Sequence, residues 1–150
     1  MTKHRLTRIL LPGLVVMAAV ISLALFASRS MGFQPSHTVT VGTTTAYEFY
    51  APASDIQCEL SRTPALGTYA YCQSVSTNRS VKMTANGSWT VCSRENCLGN
   101  PGLGTPTLHT STRVLDGPIT CDLTADTVSC YNRLHRGFVM WRTTLANYSS

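Results

Sequence analysis

The distribution of apolar and polar residues divides the chain into an apolar N-terminal run and a longer part made of short alternating segments. Alternation with a period of two residues is typical of half-buried β-strands. Such segments fall at 45–50, 56–60, 69–74, 81–85, 88–92, 119–123 and 127–132, and we predict two further strands, an exposed β-branched and polar one at 107–115 and a last one at 137–142. Turn residues separate them, and Asn86-Gly87 between two alternating runs is a strong hairpin signal. We therefore predict an all-β fold, a small disulfide-braced sandwich or open barrel of about eight or nine short strands.

The N-terminal run predicts one hydrophobic helix before the β domain. Residues 9–27 carry no charge and follow a basic flank that contains Lys3, Arg5 and Arg8. As a helix this run would rise about 28 Å, which is close to the ~30 Å hydrocarbon core of a bilayer. Because a basic flank stays in the cytoplasm, we expect residues 9–27 to contact the membrane and the rest of the chain to be exported.

These patterns predict three parts of the chain: a signal anchor or signal peptide at 1–30, a polar linker at 31–44 and an extracytoplasmic β domain at 45–150. A cleaved signal peptide usually has a shorter apolar run and a small-x-small cleavage site. Leu25-Phe26-Ala27 lacks the first small residue, which favours an uncleaved anchor. The predicted location is the cell membrane with the domain outside, or the secreted state.

The net charge of +5 changes this picture little. Its excess lies at the N-terminus, where Lys3, Arg5, Arg8 and Arg29 have no acidic residue among them. The other eight basic residues are balanced by all seven acidic residues. Because the excess flanks an apolar run, membrane topology explains it, and we expect no nucleic-acid partner.

The cysteines predict a disulfide framework, because an even number confined to an exported segment is typical of oxidised pairs. They are Cys58, Cys72, Cys92, Cys97, Cys121 and Cys130. The spacing of Cys92 and Cys97 fits neither a zinc ribbon nor a redox-active Cys-x-x-Cys pair. We therefore expect no metal and no cofactor.

An internal echo narrows the fifteen pairings that six cysteines permit. Ile56-Gln57-Cys58-Glu59-Leu60 is echoed by Ile119-Thr120-Cys121-Asp122-Leu123, and each run precedes a turn and a second strand with its own cysteine. If each pair of strands forms a hairpin, the two cysteines face each other within disulfide reach. This predicts the pairs Cys58–Cys72 and Cys121–Cys130, with Cys92–Cys97 closing a small loop.

The order of these features resembles a domain-of-unknown-function family of small exported proteins and lipoproteins of actinobacteria. The resemblance covers residues 47–142 and rests on Phe49, Pro52, Ile56, Cys58, Cys72, Trp89, Cys92, Cys121, Cys130, Gly137 and Phe138. In this chain Ser54-Asp55 stands where the family has Gly-Asn. The resemblance implies an exported all-β domain and implies no activity.

No residue pattern indicates catalysis. A nucleophile elbow, a phosphate loop and a metal-binding histidine pair are all missing from the sequence. His37 falls in the linker, His109 in a polar strand and His135 in a basic turn. Catalysis at His135 would need a Ser or Cys and an acid to converge on it. We favour a solvated turn there.

The aromatic residues have two interpretations, as core or as an exposed face that binds glycan or protein. We assign Phe49, Trp89 and Phe138 to the core. Tyr47, Tyr71 and Tyr131 remain open between the two interpretations.

The resulting hypothesis is a non-enzymatic binding or envelope-associated module whose ligand is an unknown extracellular protein or glycan. Its possible contact surface is the Gly/Pro-rich loop 98–106 with the adjacent small loop, because loops on a rigid scaffold often carry binding. The residues concerned are Arg94, Glu95, Asn100, Pro101 and Leu103. The alternative is a small secreted hydrolase or hydrolase inhibitor. A hydrolase would require a cleft near His109 or His135.

Overall fold

A computed structural model describes residues 33–42, 46–52, 55–65 and 67–148. Within these residues the backbone forms eleven β-strands and one short 3-10 helix. The elements are β1 (His37–Thr40), β2 (Ala46–Tyr50), β3 (Ile56–Thr63), β4 (Gly67–Ser74), β5 (Arg79–Thr84), β6 (Trp89–Ser93), the 3-10 helix Glu95–Cys97, β7 (Thr112–Asp116), β8 (Ile119–Leu123), β9 (Thr127–Asn132), β10 (Gly137–Trp141) and β11 (Leu145–Asn147). The predicted N-terminal helix at 9–27 lies outside the described residues. In the described ranges, no helix has the length and apolar character needed to cross a membrane.

The strands form two sheets around one core. The five-stranded sheet has the order β2-β3-β4-β5-β6, and the six-stranded sheet has the order β1-β7-β8-β9-β10-β11. Both sheets contribute fully buried side chains to the core, including Phe49 and Leu60 from one and Val128 and Phe138 from the other. The all-β prediction is confirmed, and the described strands form two sheets and no closed barrel.

The predicted number of strands is wrong, since the described residues contain eleven rather than eight or nine. The first missed strand is β1, which lies inside the predicted linker and pairs in parallel with β7. The second is β11, only three residues long, which pairs with β10. Both are short and mostly exposed, so their pairing depends on backbone hydrogen bonds and leaves little alternation in the sequence.

The strand predicted at 107–115 is shorter than expected and is not an exposed strand. The strand begins only at Thr112, and the side chains of Thr112 and Val114 are buried, with Val114 part of the core. Residues 108–111 form no strand, and Thr107 makes an isolated bridge to Tyr50.

The three predicted disulfides are confirmed: Cys58–Cys72, Cys92–Cys97 and Cys121–Cys130. Cys58 is directly opposite Cys72 on β3 and β4, and Cys121 is directly opposite Cys130 on β8 and β9, with 4.1 Å between the Cα atoms of each pair. These four cysteines are fully buried, and the sulfur of Cys72 lies 4.0 Å from that of Cys130. Two cystines, one from each sheet, therefore meet at the centre of the core.

The two sheets repeat one antiparallel five-strand meander, β2–β6 in one and β7–β11 in the other. We take the Cys58–Cys72 cystine of one sheet as equivalent to the Cys121–Cys130 cystine of the other. The strand pairing around each cystine then makes Phe49 equivalent to Val114, Val81 equivalent to Phe138 and Met83 equivalent to Met140. The echo around Cys58 and Cys121 is thus part of a repeat that extends through all five strands. Positions on the outer faces of the two sheets can be compared in the same way.

The aromatic core assignments hold for Phe49 and Phe138, which have no exposed surface. Trp89 is half-buried and packs edge-on against Phe138, with 6.4 Å between ring centroids. Tyr47, which the sequence left open, is also half-buried and packs against the core beside Phe49.

Candidate binding surfaces

The Gly/Pro-rich loop 98–106, here named the covering loop, lies on the outer face of the five-stranded sheet. Gln57 and Gln73 flank the inward-pointing cysteines and therefore point outward, yet they are only 4% and 1% exposed. Gln73 donates from Nε2 to the carbonyl of Gly99 at 3.0 Å and accepts a hydrogen bond from the Gly99 amide. Tyr71 donates from its hydroxyl to the carbonyl of Cys97 at 2.6 Å. The loop thus satisfies polar groups that it buries.

The second half of the covering loop is held by the edge strand β2. Glu48 Oε2 accepts hydrogen bonds from the Gly102 amide at 2.8 Å and from the Thr105 hydroxyl at 3.0 Å. Tyr50 exchanges backbone hydrogen bonds with Pro106 and Leu108, at 2.8 and 2.9 Å. Between these attachments, the side chain of Leu103 is fully exposed, with a relative accessibility of 107%.

The predicted contact residues lie along one continuous segment. Arg94 is exposed in the bend after β6, and Glu95 begins the 3-10 helix that the Cys92–Cys97 disulfide closes. Asn100 and Leu103 are exposed on the covering loop, and Pro101 between them is partly buried. Their role in binding stays a prediction.

A second surface lies on the outer face of the six-stranded sheet and begins with a charged network. Arg113 donates from Nε and Nη2 to the two carboxylate oxygens of Asp122, at 2.6 and 2.8 Å. Tyr131 donates from its hydroxyl to Asp122 Oδ2 at 2.8 Å. Burial of the phenol raises the pKa of Tyr131, and its hydrogen bond to Asp122 raises that pKa further. The phenol is therefore kept neutral and fixed in orientation.

Three aromatic rings, here named the aromatic cluster, lie beside this network. The rings of Tyr131 and Tyr148 have centroids 4.3 Å apart at an interplanar angle of 16°, and the ring of His135 lies 5.8 Å from that of Tyr131 at 12°. Gly137 lies between the two tyrosines, paired with Tyr131 and accepting a hydrogen bond from the Tyr148 amide. A Cβ at Gly137 would lie 2.0 Å from the carbonyl oxygen of Cys130, so no side chain separates the rings.

Part of this cluster is predictable from the sequence. The pattern leaves Tyr131 open between core and exposed face, and it predicts a solvated turn at His135, which matches the exposed position of that residue. Tyr148 was missed because it lies beyond the last predicted strand. The signal that was available is the glycine at 137, since a cross-strand aromatic pair often covers a glycine in a sheet.

The internal repeat shows how the two outer faces differ. In the five-stranded sheet Gln57 is paired with Gln73. The equivalent pair in the six-stranded sheet is Thr120 with Tyr131, so Tyr131 takes the place of Gln73. Gln73 is buried beneath the covering loop, whereas Tyr131 and Tyr148 are each only half-buried. One repeat therefore covers this face with its own chain, and the other leaves aromatic rings in contact with solvent.

The described part of the chain has no pocket, and the hydrolase alternative stays a prediction. His109 is exposed, with the ring of His37 5.8 Å away. Among the described residues no three His, Cys, Asp or Glu side chains are grouped as metal ligands.

Comparison with protein-family models, curated proteins and solved structures finds no match to this chain. The resemblance to the actinobacterial family of exported domains therefore stays a prediction.

Proposed function

We propose that the chain is an exported, membrane-tethered or secreted binding module without enzymatic activity, and that its covering loop contacts an extracellular protein. The three disulfides support export, because such bonds form and persist in oxidising compartments. Anchoring through residues 9–27 belongs to the same proposal and rests on their uncharged apolar sequence.

The observation that carries the proposal is the exposed side chain of Leu103 on a loop that is fixed at both ends. Glu48 holds Gly102 and Thr105 on either side of Leu103, and Gln73 holds Gly99. A loop that is already ordered loses little conformational entropy on binding, which favours affinity. An apolar side chain with complete exposure contributes to stability only when a partner covers it.

Site-specific photocrosslinking tests this proposal in cells that produce the full-length protein. A photoreactive residue at position 103 should form an adduct of defined mass with one protein, and excess native protein should compete for the adduct. Excess Leu103→Ser protein should compete at least about tenfold less well, which corresponds to the loss of one buried leucine side chain.

The matched control is a photoreactive residue at Val75, which is 61% exposed in the turn after β4. Equal labelling from positions 75 and 103, or an adduct that Leu103→Ser protein competes for as well as native protein does, would contradict the proposal.

A further inference from the structure

The turn between β9 and β10, residues 133–136 and here named the basic turn, is exposed yet rigid. Asn132 Oδ1 accepts hydrogen bonds from the amides of Leu134 and Arg136, at 2.9 and 3.1 Å, and its Nδ2 donates to the carbonyl of Ala85 at 3.2 Å. His135 adopts a φ of 56°, an uncommon conformation for a residue other than glycine. Such conformations persist where surrounding contacts enforce them, often at binding sites.

The basic turn carries charge without nearby compensation. Arg133 and Arg136 are exposed and form no side-chain ion pair in the described part of the chain. Asp122, which lies beside Tyr131, is already paired with Arg113, and Asp116 is paired with Arg62. The positive charge of the turn therefore remains available to an anion from solution.

The turn and the aromatic cluster adjoin each other through His135, which belongs to both. Its ring is nearly parallel to that of Tyr131 and lies 6.4 Å from that of Tyr148. The Arg113–Asp122 pair fixes Tyr131 from the other side. Arg133 and Arg136 flank His135 in the same exposed turn, so the basic turn adjoins the ordered rings at one end of the sheet.

We propose that the basic turn and the aromatic cluster together bind an anionic glycan, a polysaccharide that carries carboxylate or phosphate groups. Guanidinium groups bind carboxylate and phosphate in a planar geometry, and aromatic rings offer an apolar surface with polar edges to a sugar ring. No pocket is present among the described residues, and an extended polysaccharide does not need one to bind.

This site is independent of the covering loop, which lies on the outer face of the other sheet. A single-stranded nucleic acid would use the same combination of positive charge and stacking. The predicted export of the domain favours the glycan, and the test separates the two.

The experiment measures binding of the oxidised full-length protein in detergent to immobilised polygalacturonate and to a phosphorylated mannan. Neutral dextran, poly-glutamate and oligo-dT serve as comparison ligands. We expect at least one anionic polysaccharide to bind about tenfold more tightly than each comparison ligand. Arg133→Gln/Arg136→Gln should weaken that binding about tenfold or more, and Tyr148→Leu should weaken it severalfold.

The single variant Arg136→Gln is compared with Arg79→Gln, which removes an exposed arginine from the five-stranded sheet. Arg79→Gln should change the affinity for the polysaccharide less than about twofold. Leu103→Ser should also leave polysaccharide binding intact, so failure here and failure of the covering-loop proposal are distinguishable.

Binding of poly-glutamate or oligo-dT as tight as that of the polysaccharides would overturn the proposal, since the turn would then be a non-selective cationic patch. Absence of binding to both polysaccharides at low salt, or equal losses in Arg79→Gln and Arg136→Gln, would overturn it as well. Melting curves of each variant confirm that the fold is retained.

Discussion

The two kinds of disulfide in this protein should contribute to stability to different extents. We consider Cys121→Ala/Cys130→Ala, which removes a buried bond, against Cys92→Ala/Cys97→Ala, which removes an exposed one. The bonded residues are 9 apart in the first pair and 5 apart in the second. In the loop-entropy model these closures contribute about 2.7 and about 2.2 kcal/mol, so loop length alone barely separates the two variants.

Packing separates them much further. Cys121 and Cys130 are fully buried, and Cys130 touches the cystine of the opposite sheet, whereas Cys92 is exposed. Removing one buried heavy atom at each site costs about 1 kcal/mol, as for other small truncations in a core. The buried pair should therefore lower the free energy of unfolding by about 5 kcal/mol, against about 2 kcal/mol for the exposed pair.

Urea unfolding of the detergent-solubilised full-length protein, followed by circular dichroism, measures both losses, with mass spectrometry to confirm that the other disulfides remain paired. The 4.0 Å contact between Cys72 and Cys130 further implies that removing both core cystines gives a loss that departs from additivity by about 0.5 kcal/mol or more. Equal losses for the buried and exposed pairs would refute the argument that the cystines pack as core residues.

Three further outcomes follow from single contacts. Gly137→Ala should lower the free energy of unfolding by about 2–4 kcal/mol, because its Cβ would lie 2.0 Å from the Cys130 carbonyl oxygen. The control Gly42→Ala, whose Cβ would have no atom within 4 Å, should change the free energy of unfolding by no more than about 0.5 kcal/mol. Similar melting temperatures for the two variants would contradict this prediction. Glu48→Gln should accelerate amide exchange at Gly102 while leaving the β3–β4 hairpin protected, since the carboxylate accepts the Gly102 hydrogen bond; unchanged exchange would show that Glu48 does not hold the loop. The pKa of Tyr131 is raised from its usual 10.0 in the folded state, so its contribution to stability is complete below pH 10 and is lost as the pH rises further. Urea titrations of Tyr131→Phe between about pH 9 and pH 12 should therefore show a smaller decline than native protein, and an equal decline would exclude Tyr131 as its cause.

The fold class and the disulfide pairs could be predicted from local patterns in the sequence. Alternation with a period of two residues is a local property, so most of the strands were visible without tertiary information. The pairing of Cys58 with Cys72 and of Cys121 with Cys130 followed because a hairpin places nearby cysteines opposite each other. The Asn86-Gly87 turn was likewise local, and Gly87 adopts the positive φ that such a turn requires.

The arrangement of the strands in two sheets, and the residues that cover the outer faces, depend on long-range contacts that no local pattern predicts. β1 became a strand because β7, far along the chain, offered a free edge, and no local pattern records that edge. Tyr71 and Tyr131 are both aromatic residues on outward-facing positions, yet one anchors the covering loop and the other joins Tyr148 and His135 in an open cluster. The difference depends on contacts between distant segments, Cys97 with Tyr71 and Tyr148 with Tyr131. Periodicity in the sequence fixes which side of a strand a residue faces, whereas the packing of distant segments decides what covers it.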